Sequence, residues 1–366
     1  MALDYFYRIY PLFLIAKSIM NQLIECVPNF SEGCDLNIIN QIADEIKSVT
    51  GVKLLNIDLG KAANRTVYTF VGTPPAVIDA AFLAIKKAGK LIDMSKQKGE
   101  HPRIGSTDVC PLIPISGITM EETAEYAKKL GEKVGKELQI PVFLYEAAQT
   151  NKNRSNLSII RIGEYEGMFE KIKLPEWKPD YGPVENSIKS GATVIGARDF
   201  LIAYNINLNT SSVEVANAIA GEVRESGHVK REGNTASGKI IRDEKGNPIK
   251  IQGTLKSLKA IGWYIKEYNC AQVSMNLTNI NITPIHIAFE EVCKKAIEHG
   301  VKVTGSELIG LIPLKAMLDA GKYYAEKENL SKNESKQVLI KKAIKSMRLD
   351  ELSAFDPKKR IVEYLL

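Results

Sequence analysis

Hydrophobic residues in the first 150 positions recur with two different periods, and the two periods alternate along the chain. Ile39, Ile42, Ile46 and Val49 follow the three- and four-residue spacing of an amphipathic helix. Residues 65–71 alternate instead between two sets of side chains, as they do in a strand. Helices that alternate with strands, some of them adjacent in a hairpin, predict an α+β sheet with helices on one face.

Helix-start signals divide the chain further. The Thr-Pro-Pro sequence at 73–75 predicts a helix that runs to about Ile92, because proline suits the first helical turn. Thr119 and Glu122 have the spacing of a capping box ahead of another helix. In the second half, apolar runs and helical patterns predict strands at 192–208, 272–279 and 301–311, helices at 211–224 and 285–299, and two terminal helices.

Length and a change in composition predict two subdomains. A chain of 366 residues is long enough for two or three domains. Residues 150–191 are polar and rich in Pro, Gly and Asn, which predicts loops and a short helix that link two halves. We therefore predict one subdomain at 20–199 and a second at 200–366. Residues 1–19 are expected to be a non-native or poorly ordered extension, since a more regular pattern opens at Met20.

Bulk composition favours a cytoplasmic globular protein. Hydrophobic residues make up 45% of the chain and charged residues 25%, as in ordinary soluble domains. The apolar run at 10–16 is too short to cross a bilayer, and five scattered cysteines without a CxxC pair predict reduced thiols and no zinc site. A net charge of +6 fits anionic small-molecule substrates, and it also fits loose nucleic-acid binding.

The most unusual segment for chemistry is the loop that contains His101 and Arg103. Gly99, Pro102 and Gly105 interrupt regular structure there, and loops on a rigid scaffold often carry catalytic side chains. A histidine can accept and return a proton near neutral pH. An arginine in the same turn offers a fork for a carboxylate. The segment therefore predicts a general acid–base beside a carboxylate-binding group, with a capping or solvent-facing histidine as the structural alternative.

Two acidic residues are further candidates. Asp58 ends a predicted strand before the turn that leads to Arg65, where it could orient an imidazole, bind a substrate cation or cap the turn. Glu307 lies between glycines within an apolar run. Because burial of an unpaired carboxylate is costly, Glu307 is expected either to face a pocket or to begin a loop.

Several of these segments occur together in one known family. Residues 26–33, 64–72, 99–105, 108–111 and 305–313 resemble, in this order, the glutamate formimidoyltransferase family. The likeness runs from about Met20 to Leu366 and corresponds to the monofunctional form, without the fused cyclodeaminase domain. It implies two α/β subdomains, each with a mixed or antiparallel sheet covered by helices, a folate tunnel between them, and a homodimer.

The resemblance also implies an activity. Members transfer a formimidoyl group from N-formimidoyl-L-glutamate to N5 of tetrahydrofolate in histidine degradation, so (polyglutamyl) tetrahydrofolate is expected as co-substrate, with no metal. A separate cyclodeaminase is then expected to consume the product. No nucleic-acid or membrane partner is implied.

Site residues follow from the matching positions. The family's catalytic histidine matches His101 and its nearby aspartate matches Asp58; Glu307 is a third catalytic candidate, at a position where some members have an amide. Arg65 and Arg103 are candidates to bind the anionic substrates. The family's folate-contacting stretch falls on Gly182, Pro183, Val184, Glu185, Asn186, Ser187, Ile188, Lys189, Ser190 and Gly191.

Three other interpretations stay open at this point. Formyl transfer, from N-formylglutamate or through 5-formyltetrahydrofolate, differs from formimidoyl transfer by one N–H in place of oxygen. A non-catalytic folate-binding paralogue would bind folate without turnover. Nucleic-acid binding through the basic residues of 227–259 is disfavoured, because that segment lacks interleaved aromatic residues and any known binding module.

Overall fold

The computed structural model describes residues 22–234, 238–329 and 334–366. The predicted extension at 1–19 lies outside the described residues. The chain divides between Asp199 and Phe200 into two units, and each contains its own sheet and helices. The two-subdomain α+β fold is confirmed. Among the described residues, no helix is long and apolar enough to cross a membrane.

The first unit is built on a seven-stranded sheet. Its strands are β1 (Leu23–Cys26), β2 (Asn29–Phe30), β3 (Val52–Gly60), β4 (Arg65–Gly72), β5 (Thr107–Ser116), β6 (Val142–Glu146) and β7 (Thr193–Ala197). Its helices are α1 (Leu36–Lys47), α2 (Pro74–Leu91), α3 (Met120–Leu138), α4 (Leu157–Ile160) and α5 (Glu164–Lys171).

The sheet is mixed. Strands β3 and β4 form an antiparallel hairpin, whereas β5, β7 and β6 are parallel neighbours. Between β4 and β5 lie β1 and β2, which follow one another along a single line of the sheet. Pro28 separates these two strands because it has no N–H to donate to a ladder, while its carbonyl still accepts a 3.0 Å bond from Tyr68.

Helices α1, α2 and α3 pack on one face of this sheet. Ile39, Ile42 and Ile46 of α1 are at most 2% exposed, as the helical spacing predicted. Helix α3 begins with the predicted capping box, in which Thr119 accepts from the Glu122 backbone and the Glu122 side chain accepts from the Thr119 backbone. The local sequence signals therefore place the main core correctly.

Residues 150–191, which were predicted to be a linker, cover part of the opposite face. Ile160 and Met168 of α4 and α5 are buried against Phe143 and Val194 of the sheet. Lys171 donates to the carbonyls of residues 159, 160 and 162, at 2.8–3.0 Å, and so closes the end of α4. This segment is therefore a structural layer of the first unit.

The second unit has a four-stranded antiparallel sheet in the order β11–β12–β8–β13. Its strands are β8 (Ile202–Leu208), β9 (His228–Val229), β10 (Lys250–Ile251), β11 (Leu258–Ile265), β12 (Cys270–Leu277) and β13 (Val303–Ile309). Its helices are α6 (Val213–Val223), α7 (Ile285–Glu298), α8 (Leu314–Lys327), α9 (Lys336–Ser346) and α10 (Pro357–Arg360). Strands β9 and β10 form an antiparallel pair within the basic segment 227–259.

One prediction about the second half is wrong, and one strand was not predicted. The apolar run at 192–208 is not one strand, because it breaks at 198–201 and supplies β7 to the first unit and β8 to the second. Strand β11 was missed, and Gly262 interrupts its apolar pattern. A glycine is needed there because a Cβ at position 262 would lie 2.2 Å from the backbone nitrogen of Asn217.

Gly105 lies where the loop that carries His101 meets the segment before β7. A Cβ there would lie 2.0 Å from the Ala192 carbonyl oxygen and 2.7 Å from that of Ser190. We expect Gly105→Ala to lower the free energy of unfolding by at least about 1–3 kcal/mol, measured by urea denaturation. The matched control is Gly167→Ala in α5, where a Cβ meets nothing within 4 Å. That change should raise stability by up to about 1 kcal/mol, and equal effects of the two substitutions would contradict the prediction.

Candidate active site

The loop that carries His101 is attached to the β3–β4 turn. Asn64 Nδ2 donates to the Lys98 carbonyl at 2.8 Å, and the Glu100 N–H donates to the Ala62 carbonyl at 3.2 Å. Gly99 is required at this contact, because a Cβ would lie 2.2 Å from the Ala63 carbonyl oxygen. The loop therefore presents its side chains from a fixed backbone.

Arg103 fixes the other side of the loop. Its Nε and Nη2 donate to the side chain and carbonyl of Gln97, at 2.9 and 3.3 Å. Its Nη1 and Nη2 donate to Glu164 and Glu166 at the start of α5, at 2.8–2.9 Å. The sequence predicted a guanidinium fork open to a substrate carboxylate, but protein acceptors occupy its donors. Arg103 therefore ties the His101 loop to α5, and a substrate contact of this residue stays a prediction.

A groove opens along the same loop. Its volume is about 730 Å³, and its charged lining consists of Lys98, Glu100, Arg103, Glu164 and Glu166. Ala62, Gly99 and Gly163 complete the lining. Glu100 and Arg103, on either side of His101 in the chain, line the groove, and its polar lining suits a hydrophilic ligand rather than an apolar one.

The tautomer of His101 follows from one hydrogen bond. Its Nδ1 lies 2.8 Å from the carbonyl oxygen of Pro102. A carbonyl can only accept, so Nδ1 carries a hydrogen, and in the neutral ring Nε2 keeps its lone pair. The half-buried ring is therefore held in the tautomer whose Nε2 can accept a proton.

Asp108, Arg65 and Arg161 form a buried charge cluster near His101. The Asp108 side chain is fully buried, and those of Arg65 and Arg161 are 9% and 15% exposed. Both guanidinium groups form ion pairs with Asp108 Oδ2, and Arg161 Nε lies 3.3 Å from Oδ1. Asp108 Oδ1 also accepts the Ile104 N–H at 3.1 Å, and Arg65 Nε donates to Asn29 at 3.0 Å. The cluster holds two positive charges and one negative charge.

These charges set the protonation states. Burial raises the pKa of Asp108, but the charges of Arg161 and Arg65 outweigh it and hold the pKa well below its usual range. Burial, together with the charges of Arg65 and Arg161, lowers the pKa of His101 to about 3, and Asp108 opposes this only in part. At neutral pH the cluster therefore contains a carboxylate, two guanidinium ions and an uncharged imidazole.

The other predicted acids occupy different places. Asp58 is half-buried in β3, opposite Val67 of β4. The carboxylate whose charge acts on His101 is Asp108, so a direct role for Asp58 toward the imidazole stays a prediction. Glu307 lies inside β13 of the second unit, neither at a loop start nor unpaired. It accepts hydrogen bonds of 3.0–3.1 Å from Asn205, Tyr268 and Gln272.

The end of the predicted folate-contacting stretch, Gly182–Gly191, lies beside the His101 loop. Ser106 donates its N–H to the Ser190 carbonyl at 2.7 Å, and Ala192 donates to the Ile104 carbonyl at 3.0 Å. Tyr165 Oη donates to the Ile188 carbonyl at 2.6 Å. The structure thus brings this part of the stretch next to the loop, and its contact with folate stays a prediction.

Two models of one protein family match most of the chain. The model described as "Formiminotransferase domain, N-terminal subdomain" matches residues 23–198, and the model "Formiminotransferase domain" matches residues 203–366. The chain belongs to the formiminotransferase family. This membership confirms the resemblance carried by the five sequence segments.

Curated relatives of this family fall into two sizes. A glutamate formimidoyltransferase of Thermoplasma acidophilum is 43% identical over 83% of this chain and 92% of its own length. A glutamate formimidoyltransferase of Streptococcus pyogenes is 39% identical over 87% of this chain and 98% of its own length. A formimidoyltransferase-cyclodeaminase of Dictyostelium discoideum is 47% identical over 95% of this chain but 61% of its own length. This formiminotransferase-family chain therefore spans about three fifths of the fused relative.

Asp108 and Arg161 were not among the site residues predicted from the sequence. Asp108 stands within a quoted family segment, but nothing local shows that its partners lie 43 and 53 residues away. Arg161 falls in the segment predicted as a linker. The described residues contain no group of three or more His, Cys, Asp or Glu side chains arranged to hold a metal ion.

Asp108 should be essential for folding of the first unit. The change Asp108→Asn leaves two buried guanidinium groups without a counter-charge, so we expect the free energy of unfolding to fall by about 3–5 kcal/mol. Asp79→Asn is the control, since its bridge to Lys133 is largely exposed and should be worth less than about 1 kcal/mol. Urea denaturation of both variants checks this, and a mild effect of Asp108→Asn would show that the cluster does not stabilise the fold.

His101 should stay neutral across the physiological range. A pKa of about 3 means that the folded protein leaves the ring unprotonated between pH 5 and 8, whereas the unfolded chain takes up that proton near pH 6.5. Stability linked to this ring therefore falls as the pH drops below 6.5. Nitrogen-15 NMR of labelled histidine should show a protonated Nδ1 and a bare Nε2 in the ligand-free protein. A titration midpoint near 6.5 for His101 would contradict the assignment.

Proposed function

We propose that this chain transfers a formimidoyl group from N-formimidoyl-L-glutamate to N5 of tetrahydrofolate, giving 5-formimidoyltetrahydrofolate and L-glutamate. Two relatives named glutamate formimidoyltransferase, at 39% and 43% identity over most of the chain, support this substrate pair. The observation that carries the chemistry is the hydrogen bond between His101 Nδ1 and the Pro102 carbonyl, beside a buried cluster of net positive charge. In the neutral ring this bond leaves Nε2 as the nitrogen that can accept a proton.

The reaction needs two proton transfers at one place. N5 of the folate attacks the amidine carbon of the donor, and a tetrahedral intermediate forms. His101 Nε2 accepts the proton that N5 loses at this step. The same imidazolium then gives its proton to the departing glutamate nitrogen as the carbon–nitrogen bond breaks, which restores the neutral ring. A base positioned in this way typically contributes about 10²–10⁴-fold to the rate.

The protein's charges have defined tasks in this scheme. Both substrates carry carboxylates, so the net positive cluster of Arg65, Arg161 and Asp108 favours their approach. Asp58 is proposed to bind the amidinium cation of the donor or to orient the imidazole. Glu307 is proposed as an acceptor for a substrate N–H. Residues 182–191 are proposed to contact the folate.

The setting of the enzyme is also a proposal. The family resemblance favours a cytoplasmic homodimer. The names of the fused relatives pair the transferase with a cyclodeaminase, so we propose that a cyclodeaminase acts on the product made here. The positive charge balance is compatible with polyglutamyl forms of the folate.

The decisive variant is His101→Ala. Loss of the base should lower kcat by about 10²–10⁴-fold while folate binding and the unfolding transition are retained, because the ring makes a single hydrogen bond to its neighbour. His299→Gln is the control: that histidine pairs with Glu222 in the second unit and should leave kcat unchanged.

The assay should compare N-formimidoylglutamate with N-formylglutamate, each with tetrahydrofolate. We expect turnover with the formimidoyl donor and little with the formyl donor. Turnover of His101→Ala near the wild-type rate would refute the proton-transfer role. Folate binding without turnover on either donor would refute the enzyme assignment.

A further inference from the structure

The charge cluster around Asp108 is unbalanced in a way that other buried arginines of the first unit are not. Arg103 faces two glutamates, and Arg154 faces Asp180 and the carbonyl of Lys178. Asp108 alone faces both Arg65 and Arg161, although all three side chains are at least 85% buried. Burial of an uncompensated positive charge is costly, and a bound anion would offset that cost.

Arg161 has donors to spare in this arrangement. Among the described residues its side chain donates to Asp108 alone, through Nε and Nη2. Nη1 therefore keeps both of its hydrogens and Nη2 keeps one, so the Nη1–Nη2 edge can donate two parallel hydrogen bonds to a carboxylate. Its 15% exposed side chain is also the most accessible member of the cluster.

We propose that Arg161, assisted by Arg65, binds a carboxylate of the glutamyl donor near His101. The proposal rests on the proposed function, because it names the group that holds the donor in that same site. It assigns the site to the donor rather than to the glutamate tail of the folate. Other charged or polar groups that face the two arginines include Asp108, His101, Asn29 and Tyr145.

The bound carboxylate also affects the base. In the empty protein, the positive charges of Arg65 and Arg161 disfavour protonation of His101. A donor carboxylate beside those guanidinium groups cancels one positive charge, so the imidazolium that forms during transfer becomes less costly. Donor binding and the basicity of His101 are therefore coupled through Arg161.

Removal of Arg161 is a clean test because it should leave the fold intact. Arg161→Gln leaves Arg65 and Asp108 as a balanced ion pair, so no buried charge loses its counter-charge. Lys173→Gln is the control: it removes the same charge from a side chain that is 64% exposed. Arg161→Lys keeps the charge without the fork.

The kinetic arm measures KM for the donor and for monoglutamyl tetrahydrofolate separately. Arg161→Gln should raise donor KM by about 10- to 100-fold, the usual effect of losing a charge-assisted hydrogen bond, and leave folate KM unchanged. The donor KM of Arg161→Lys should lie between those of the wild type and Arg161→Gln, and the donor KM of Lys173→Gln should equal that of the wild type. A rise in folate KM alone, or an unchanged donor KM, would overturn the proposal.

The binding arm needs no turnover. Glutarate and L-glutamate should bind the wild-type protein and raise the pKa of His101 in the NMR titration, whereas neutral glutaramide should do neither. The response should be lost in Arg161→Gln, and its persistence there would overturn the proposal. Arg161-dependent glutarate binding in a protein without transferase activity would refute the proposed function and leave the carboxylate site standing. Formimidoyl transfer without Arg161-dependent glutarate binding would refute the carboxylate site and leave the proposed function standing.

Discussion

A single buried carboxylate joins the parts of the first unit that form the site. Asp108 stands at the start of β5, and it accepts from Arg65 of β4, from Arg161 after α4 and from the backbone of Ile104 in the His101 loop. Burial of an ion pair seldom adds stability over an apolar core, but it strongly penalises alternatives that leave a charge unpaired. The cluster therefore specifies one arrangement of strand, loop and helix more than it strengthens the fold.

The features that sequence could predict are those with local signals. The capping box at Thr119 and Glu122, the proline-started α2 and the alternation in β4 each depend on residues a few positions apart, so the α+β sheet with its main helical layer followed from pattern alone. The choice of His101 as a candidate also rests on local signals, because glycines and a proline mark its loop, and its role stays a prediction. The prediction of one strand at 192–208 failed because Arg198 and Asp199 are the only charged residues in that run, and no glycine or proline lies at 198–201 where the two strands separate.

The remaining features depend on contacts between distant segments. Arg103 carried a plausible substrate role in sequence, and only the approach of Glu164 and Glu166, about 60 residues on, shows that its donors are occupied. Glu307 was expected at a pocket or a loop start, since an apolar run seemed to give it no partner. Neighbouring strands supply Asn205 and Gln272 instead, so the cost of its burial is met inside the sheet.

The site's charges also bear on how a weak base can serve in catalysis. An imidazole whose pKa is held near 3 is a poor proton acceptor in the empty protein, yet it also never loses its lone pair to a stray proton at neutral pH. In the proposed reaction, an anion bound beside Arg65 and Arg161 offsets their positive charge and so raises the pKa of His101. The proposed base is then strongest when the anionic donor is bound, and the positive cluster couples proton transfer to donor binding.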